Sequence, residues 1–326
     1  MKSFARLETV LHVTPLGLSC VDIATLSPVT TGLRVTAVAL TGSARQVSPV
    51  ANRSGVYVFN NLPGLHEFEY ADNASAGTDP FLASPPVGRE YAITVEDPEG
   101  RYLSWGLTLT LPRKEPLKAF LFSAPTRAMV SGLTVIRGAL RDASRLGPDG
   151  EPVAAAHARI EAEYVTTSPP TIYVAIADGR GQFALFLPSP NPLQPPAGTT
   201  ITSPYTPGRS TISELRWPVT LSFFYEPARQ KFVCRRPDGR IELIQGQRIG
   251  LTDGTPPTGW TCVPDLPSLL RDQAAATISR PASSPAGLTL QTEIEFGKDT
   301  VLRTATDNSS EGDTSVWIAP RTLVSP

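Results

Sequence analysis

Two separated stretches of this chain carry the same pattern: a polar turn, a glycine, a short aromatic strand and a Leu-Pro end. They read NRSGVYVFNNLP at residues 52–63 and ADGRGQFALFLP at residues 177–188. Gly55 corresponds to Gly181 with an offset of 126 residues, and Leu62-Pro63 corresponds to Leu187-Pro188 with an offset of 125 residues. A repeated ordered set of this kind predicts that one β-unit occurs twice in the chain.

The repeat extends toward the amino terminus. Arg34-Val35 matches Arg159-Ile160, and Asp22 and Pro28-Val29 match Asp142 and Pro152-Val153 in the same order. We therefore predict a first β-sandwich domain over residues 1–125 and a second over residues 126–230, joined near residues 114–132. Residues 231–326 do not repeat, and we expect either a C-terminal β-hairpin extension of the second sandwich or a small third β-unit there.

Apolar and polar residues alternate with a period of two in several segments, which is typical of sheets with one face on a core and the other in water. The clearest segments cover residues 90–96, 107–111, 160–164 and 288–296. The chain has 33 prolines and 25 glycines, which favours short strands and long connections. Only residues 265–278 resemble a helix, and residues 232–244 predict a hairpin around Pro-Asp-Gly. The predicted fold class is all-β with one short helix.

Charge and hydropathy exclude some partners. The net charge is −1 with a pI near 6.3, so nucleic acid is not expected as a partner. The first fifteen residues, MKSFARLETVLHVTP, lack the apolar run of a signal peptide, and no window is apolar enough for a spanning helix. We therefore expect a protein that is cytoplasmic as synthesised and does not insert into a membrane.

The residues that could carry chemistry are scattered. His12, His66 and His157 form no metal-binding spacing, and His66 with Glu67 and Glu69 in strand-like register is more typical of an exposed polar face than of a metal site. No nucleophile-elbow or protease motif occurs, although a catalytic triad assembled from distant residues stays possible. We predict no catalytic, cofactor-binding or metal-binding residues and no enzyme activity.

Two glycine-containing turns have ligand-binding alternatives. Residues 178–183, DGRGQF, lead into a strand rather than a helix, so a hairpin turn is favoured over a phosphate site. Residues 252–255, TDGT, and residues 178–181 are acidic turns, but neither has the several spaced carboxylates that a calcium loop needs.

The cysteines, the hairpin arginines and the aromatic residues each allow two interpretations. Cys234 and Cys262 could pair, although free thiols, like Cys20, are favoured. Arg235, Arg236 and Arg240 surround a hairpin tip and are either a solvated turn or a contact for an acidic protein. The aromatic residues are expected to pack in hydrophobic cores rather than to form a glycan-binding surface. They are Trp105, Trp217, Trp260, Trp317, Phe223, Phe224 and Tyr225.

The repeated phrases resemble a known fold family. PVTTGLRVTA followed by NRSGVYVFNNLPGLHEFEY, and EPVAAAHARIEAEYV followed by ADGRGQFALFLP, are similar to the carboxypeptidase-regulatory-like (transthyretin-like) β-sandwich over residues 15–112 and 132–227. The resemblance implies two tandem immunoglobulin/transthyretin-like sandwiches acting as accessory modules. The second copy departs after Leu187-Pro188, where residues 189–213 replace a short turn and put the pairing of the strand RWPVTLSFFYEP in doubt.

A second resemblance concerns function. YAITVEDPEGRYLSWGLTLTLP, LFSAPTRAMVSGLTVIRGALRDA and FGKDTVLRTA are similar to accessory proteins of phage-tail-like contractile injection systems. This resemblance implies a structural cap or adaptor that contacts sheath, tube or cap subunits and forms a ring-symmetric homo-oligomer. The alternative is a module that binds a glycan or cell surface through the long loops at residues 71–89 and 189–213.

Overall fold

A computed structural model describes residues 13–69, 87–164, 171–189, 216–246, 257–279, 287–295, 297–302 and 315–320. These residues form five β-sheets and two short helical segments, so the prediction of an all-β sandwich fold is confirmed. Three of the four alternating segments are strands that bury their apolar residues as expected: Tyr91, Ile93, Val95, Leu107, Leu109, Leu111, Ile160, Ala162 and Tyr164. The segment at residues 288–296 contains a strand but fits the expectation less well, because Ile294 is buried whereas Leu288 is exposed.

The amino-terminal part folds into two sheets that face each other, called here the first sheet pair. Its elements are β1 (Leu16–Asp22), β2 (Arg34–Ala39), β3 (Gln46–Val47), β4 (Val50–Ala51), β5 (Val56–Phe59), α1 (His66–Glu69), β6 (Arg89–Glu96), β7 (Trp105–Leu111) and β8 (Leu117–Leu121). Sheet I has the strand order β4-β5-β1-β8, and sheet II has the order β3-β2-β6-β7. Their apolar faces enclose one core cluster.

The next strands begin a second sheet pair. They are β9 (Leu133–Leu146), β10 (Pro152–Ala154), β11 (Arg159–Tyr164), β12 (Thr171–Ile176), β13 (Gln182–Pro188) and β14 (Arg216–Phe224). Strand β14 pairs antiparallel with β11 along its length, which resolves the doubt that the sequence raised about this strand. The long β9 pairs with β13 through its first half and with β10 through its second half.

A three-stranded sheet and a helix follow. Sheet V has the order β16-β15-β17, and its elements are β15 (Lys231–Arg235), β16 (Ile241–Gln245), β17 (Thr261–Pro264) and then α2 (Leu266–Arg271). The predicted hairpin at residues 232–244 is confirmed as β15 and β16. Sheet V packs on the outer face of sheet II, where Val233, Ile241 and Val263 contact Val38 and Ala92.

The predicted helix at residues 265–278 is shorter than expected. Asp265 caps α2 by accepting a hydrogen bond from the Ser268 amide at 3.1 Å, which confirms the predicted start. The helix ends at Arg271, and Ala276–Ile278 form strand β18 because their backbone pairs with a later strand.

The last strands complete the second sheet pair. They are β18 (Ala276–Ile278), β19 (Thr289–Glu295), β20 (Asp299–Val301) and β21 (Ser315–Pro320). Sheet IV has the order β12-β11-β14-β19, and sheet III gathers β10, β13, β20, β21 and β18 around β9. The predicted domain boundaries at 125/126 and 230/231 stay predictions. The strands after residue 230 either form sheet V, which packs on the first sheet pair, or join sheets III and IV of the second pair.

The two sheet pairs share one strand order. Strands β3-β2-β6-β7 of sheet II correspond to β12-β11-β14-β19 of sheet IV. In sheet I, β1 pairs antiparallel with β5 and parallel with β8. In sheet III, β9 likewise pairs antiparallel with β13 and parallel with β20. The strands of the second pair that correspond to β7 and β8 are therefore β19 and β20, which follow residue 288. Sheet V is inserted in the chain between β14 and β19.

Both copies also have a long connection at the same place. The short turn expected after Leu62-Pro63 would distinguish the first copy from the second, and this expected difference is wrong. Residues 60–88 separate β5 from β6, just as residues 189–215 separate β13 from β14. The segment HEFE, read as strand-like, forms the single helical turn α1 in that connection.

Candidate functional site at the junction of the sheet pairs

The end of β1 holds a buried carboxylate that ties the two sheet pairs together. Both oxygens of Asp22 accept hydrogen bonds from Arg127, at 2.9 Å from Nη1 and 2.6 Å from Nη2, and both side chains are at least nine-tenths buried. The Ala24 amide and the Thr25 hydroxyl donate to the same carboxylate. Burial alone would raise the pKa of Asp22, but the Arg127 bonds and charge and the Ala24 amide outweigh it and lower the pKa.

Arg127 lies between an aromatic ring of each sheet pair. Its guanidinium carbon is 4.9 Å from the Tyr102 ring centroid and 5.0 Å from that of Phe186, which belongs to β13. Cation–π contacts of this kind are stronger when they are shielded from water. Arg137 of β9 donates in turn to the carbonyl oxygens of Pro125 and Arg127. The connecting segment is thus fixed to both sides.

A second connection runs through sheet V and α2. Leu266 and Leu269 of α2 and Ile176 of β12 belong to the same core cluster as Trp105. Gly106 in β7 lies so close to sheet V that a Cβ atom there would be 2.8 Å from Val233 Cγ2. The inserted elements therefore pack directly on the first sheet pair.

A cavity of about 220 Å³ opens where these elements meet. Its apolar wall comes from Trp105 and Phe122 of the first pair, Ile176 of the second, Leu266 and Leu269 of α2, and Cys262 of β17. The wall is mainly apolar, and the cavity opens to solvent beside the turn that contains Gly179.

The polar residues of the cavity are few. Ser104, His157 and Asp178 contribute to its lining, and Gly179 is the most exposed residue there. Asp178 and Gly179 belong to the second copy of the repeated turn. The Asp178 Oδ1 atom accepts from the amides of Arg180 and Gln182 and holds this turn in place. The repeated turn thus borders the cavity in its second copy.

His157 adopts an uncommon backbone conformation beside this cavity, with φ of 59°. Its amide donates to the Asp178 carbonyl, and its own carbonyl accepts from Gln273 Nε2 at 2.8 Å. The ring packs edge-on against Phe232 with a centroid distance of 5.4 Å. Burial lowers the pKa of His157 to about 4, despite an opposing hydrogen bond to the Ala177 backbone. The imidazole is therefore neutral at pH 7.

Two buried polar atoms near the cavity have no hydrogen-bond partner among the described residues. They are Nε1 of Trp105 and Oδ1 of Asp265. Burial raises the pKa of Asp265, although the Ser268 amide and Lys231 oppose the rise. Buried polar atoms are usually satisfied, so these two mark a locally incomplete environment.

The HEFE segment has a structural role. The buried Glu69 carboxylate accepts the amides of Asn61 at 2.7 Å and Leu62 at 3.1 Å, and so holds the end of the first repeated motif. His12 lies outside the described residues. Within the part of the chain that the structure describes, no group of three or more His, Cys, Asp or Glu residues could hold a metal ion.

The three arginines of the sheet V hairpin have partners within the protein. Arg235 donates to Gln46 of the first sheet pair. Arg236 forms an ion pair with Glu242 at 3.1 Å and lies over the Trp260 ring, and Arg240 is 3.8 Å from Asp238. These contacts favour the solvated-turn reading over a docking site for an acidic protein.

The expectation of free thiols is wrong for Cys234 and Cys262. Cys234 and Cys262 face each other on β15 and β17 and form a disulfide, with Cα atoms 4.1 Å apart. Directly opposed residues of antiparallel strands lie at about this separation. Cys20 is a buried free thiol, and burial raises its pKa to about 12.

The aromatic residues divide between core and periphery. Trp105, Trp217, Phe223 and Tyr225 are buried, as core packing predicts, whereas Phe224, Trp260 and Trp317 are only partly buried. The loops proposed for glycan binding, and the acidic turn at residues 252–255, lie outside the described residues except for residues 87–89 and 189.

Sequence reasoning missed the junction. The repeat identifies Asp22 and Asp142 as equivalent positions but indicates no structural role for either carboxylate, and no sequence pattern marks Arg127. Arg127 lies 105 residues from Asp22, so their pairing has no local signal. The cavity is lined by five separated segments of the chain, so no local sequence pattern indicates it.

Comparison with known proteins gives no match: no protein-family model fits the chain, and no curated protein matches it. In the described part of the chain, α1 and α2 are too short to cross a lipid bilayer.

Proposed function

We propose that this protein is a non-enzymatic structural and docking component of a multi-subunit assembly. In its most specific form, it is a cap or adaptor at one end of a phage-tail-like contractile injection system. Its partners are then sheath, tube or cap subunits, and it forms a ring-symmetric homo-oligomer.

The observation that carries this proposal is the fixed junction between the sheet pairs. A component that transmits position or load between neighbours needs its modules held in one relative arrangement. The Asp22–Arg127 ion pair, the Phe186 contact and the packing of α2 and sheet V on β7 all restrict motion at this junction. A flexible linker would instead be expected where modules act independently.

A strand at the end of a described sheet supports the docking part of the proposal. Strand β12 lies at the edge of sheet IV, and its Ile172 side chain is 60% exposed. Edge strands with exposed apolar residues are ready sites for strand addition by another chain. A ring requires a head-to-tail contact between unlike surfaces, and an edge strand offers one half of such a contact.

The test is assembly state together with partner capture. We expect the purified protein to form a ring-sized oligomer in light scattering, and tagged protein from its source to co-purify with sheath or tube protein. Ile172→Lys should lower both signals, because a charge on an edge strand blocks pairing. Leu26→Lys is the matched control, since Leu26 is 73% exposed but lies in the turn after β1 rather than in a strand of sheet IV.

A monomer that captures neither sheath nor tube protein would refute the injection-system form. If oligomers form but Ile172→Lys and Leu26→Lys behave alike, the β12 edge is not the contact.

A further inference from the structure

We propose that the junction cavity is a binding site for a small, uncharged aromatic molecule that carries one hydroxyl or N–H donor. The proposal does not depend on the proposed assembly function.

The size and wall of the cavity set the first limits on the ligand. A volume of about 220 Å³ is below the usual range for drug-sized ligands but exceeds the roughly 150 Å³ that accommodates benzene in an engineered apolar cavity. The wall is formed by aromatic and aliphatic side chains, among them Trp105, Phe122 and Ile176. A stable cluster of water needs several polar partners per molecule, and this wall offers few. A single-ring ligand fits both conditions.

The polar residues set the second limit. One nitrogen of the neutral His157 ring is bonded to the Ala177 backbone, so the other carries the acceptor lone pair. A ligand that donates one hydrogen bond to this nitrogen would satisfy it. Asp178 is the anionic residue of the lining and disfavours a negatively charged ligand. The combination selects a neutral molecule with a donor group.

The site is also accessible. Gly179, at the tip of the second repeated turn, is the exposed residue of the lining, and no Cβ-sized atom lies within 4 Å of the position that its own Cβ would take. The cavity is therefore open to solvent beside this turn.

Phenol, toluene and benzoate are the probes, titrated into the full chain and followed by protein-observed NMR and thermal unfolding. We expect phenol to bind and raise the melting temperature. Toluene should bind several-fold to tenfold more weakly, because it lacks the donor, and benzoate should not bind detectably. Nuclear Overhauser contacts from toluene or phenol protons to the Trp105 ring and the Ile176 methyl groups should locate the probe on the wild-type protein.

Two variants separate the wall from the acceptor. Ser104→Phe fills the cavity and should abolish binding of both probes. His157→Asn keeps the positive φ and the cavity, so it should remove the preference for phenol over toluene while toluene still binds. No binding of either probe at millimolar concentration would overturn the proposal. Contacts to residues outside the cavity, or unchanged binding to folded Ser104→Phe, would also overturn it. Should that variant not fold, the wild-type contacts decide the question.

Discussion

Gly55 and Gly181 occupy the same position in the two repeated turns, and both have φ of 75°. In each turn, the Gly amide donates to the carbonyl three residues earlier, and the first residue, Asn52 or Asp178, accepts two further amides with its side chain. Only the surroundings differ. A Cβ on Gly55 would meet the exposed Thr30 side chain, whereas a Cβ on Gly181 would lie 2.4 Å from the Leu140 carbonyl oxygen.

We expect Gly181→Ala to destabilise the protein more than Gly55→Ala. The left-handed conformation costs about 1–2 kcal/mol for alanine at either site. At Gly181 an additional cost arises because a backbone atom of a buried strand cannot move aside as a surface side chain can. Urea unfolding of both variants measures the difference. Gly55→Ala combined with Thr30→Ser, which removes the clashing methyl, should recover part of the loss, and equal effects at both glycines would contradict the argument.

The imidazole of His157, which packs against Phe232, makes stability depend on pH. Its pKa is lowered from 6.5 to about 4, so the unfolded chain binds a proton between these values that the folded protein does not. Stability is complete above about pH 6.5 and falls as the pH drops toward 4, by at most about 1.4 kcal/mol per unit. The lowered pKa values of Asp22 and Asp97 place their own losses at more acidic pH.

Urea unfolding at pH 7.5, 6.5, 5.5 and 5.0 should therefore show a decline in the wild-type protein that is much smaller in His157→Asn. Asparagine tolerates the positive φ and does not titrate. The same decline in both proteins would assign the pH dependence to other groups.

At the scale of elements, sheet V has a disulfide between two of its own strands and packs with apolar side chains on sheet II. The disulfide closes a loop with a sequence separation of 28, and Val233 and Val263 pack on sheet II. A loop of that length corresponds to about 3–4 kcal/mol in the chain-entropy description. Because sheet V is a small insertion, its loss of order can precede that of the larger cores.

Reduction should therefore lower the unfolding free energy by roughly 2–4 kcal/mol and speed amide exchange in residues 231–264. Exchange in β9 and β13 should change far less. The Cys234→Ala/Cys262→Ala variant should exchange like the reduced protein, while Cys20→Ala should still respond to reductant. Exchange in sheet V that ignores reductant would show that the apolar contact alone suffices.

The sequence predicts elements well where one face is buried, and poorly where a segment joins another by backbone pairing. Alternation at residues 91–95 and 160–164 gave strands with the correct faces, and the Asp265 cap gave the start of α2. Ala276–Ile278 looked helical because alanines precede it, but pairing with β21 decided its conformation. HEFE had strand-like alternation, yet Glu69 turns back to cap the amides of Asn61 and Leu62.

At the scale of the whole molecule, the repeat was visible but its completion was not. Asp22 and Asp142 mark the same place in both copies, each with an amide of the residue two positions later bonded to its carboxylate. The strands that play the roles of β7 and β8 in the second pair follow an insertion, so no constant offset reveals them. The junction cavity and Arg127 likewise depend on distances in space rather than along the chain.

The buried Asp22–Arg127 pair gives the junction its clearest test. Asp22→Asn keeps the size of the side chain but leaves the Arg127 charge buried without a counter-ion, which should cost about 3–5 kcal/mol. The matched variant is Asp142→Asn, because Asp142 accepts hydrogen bonds from Ser144 that asparagine can still accept, and we expect a smaller loss there. Replacing both partners, as Asp22→Leu/Arg127→Met, should cost less than Asp22→Asn alone, since it removes the buried charge with its partner. Denaturant unfolding ranks the three variants, and small-angle scattering tests whether Asp22→Asn widens the distance distribution between the sheet pairs. If the double variant is the least stable, or Asp22→Asn and Asp142→Asn are equivalent, then apolar packing rather than the ion pair fixes the junction.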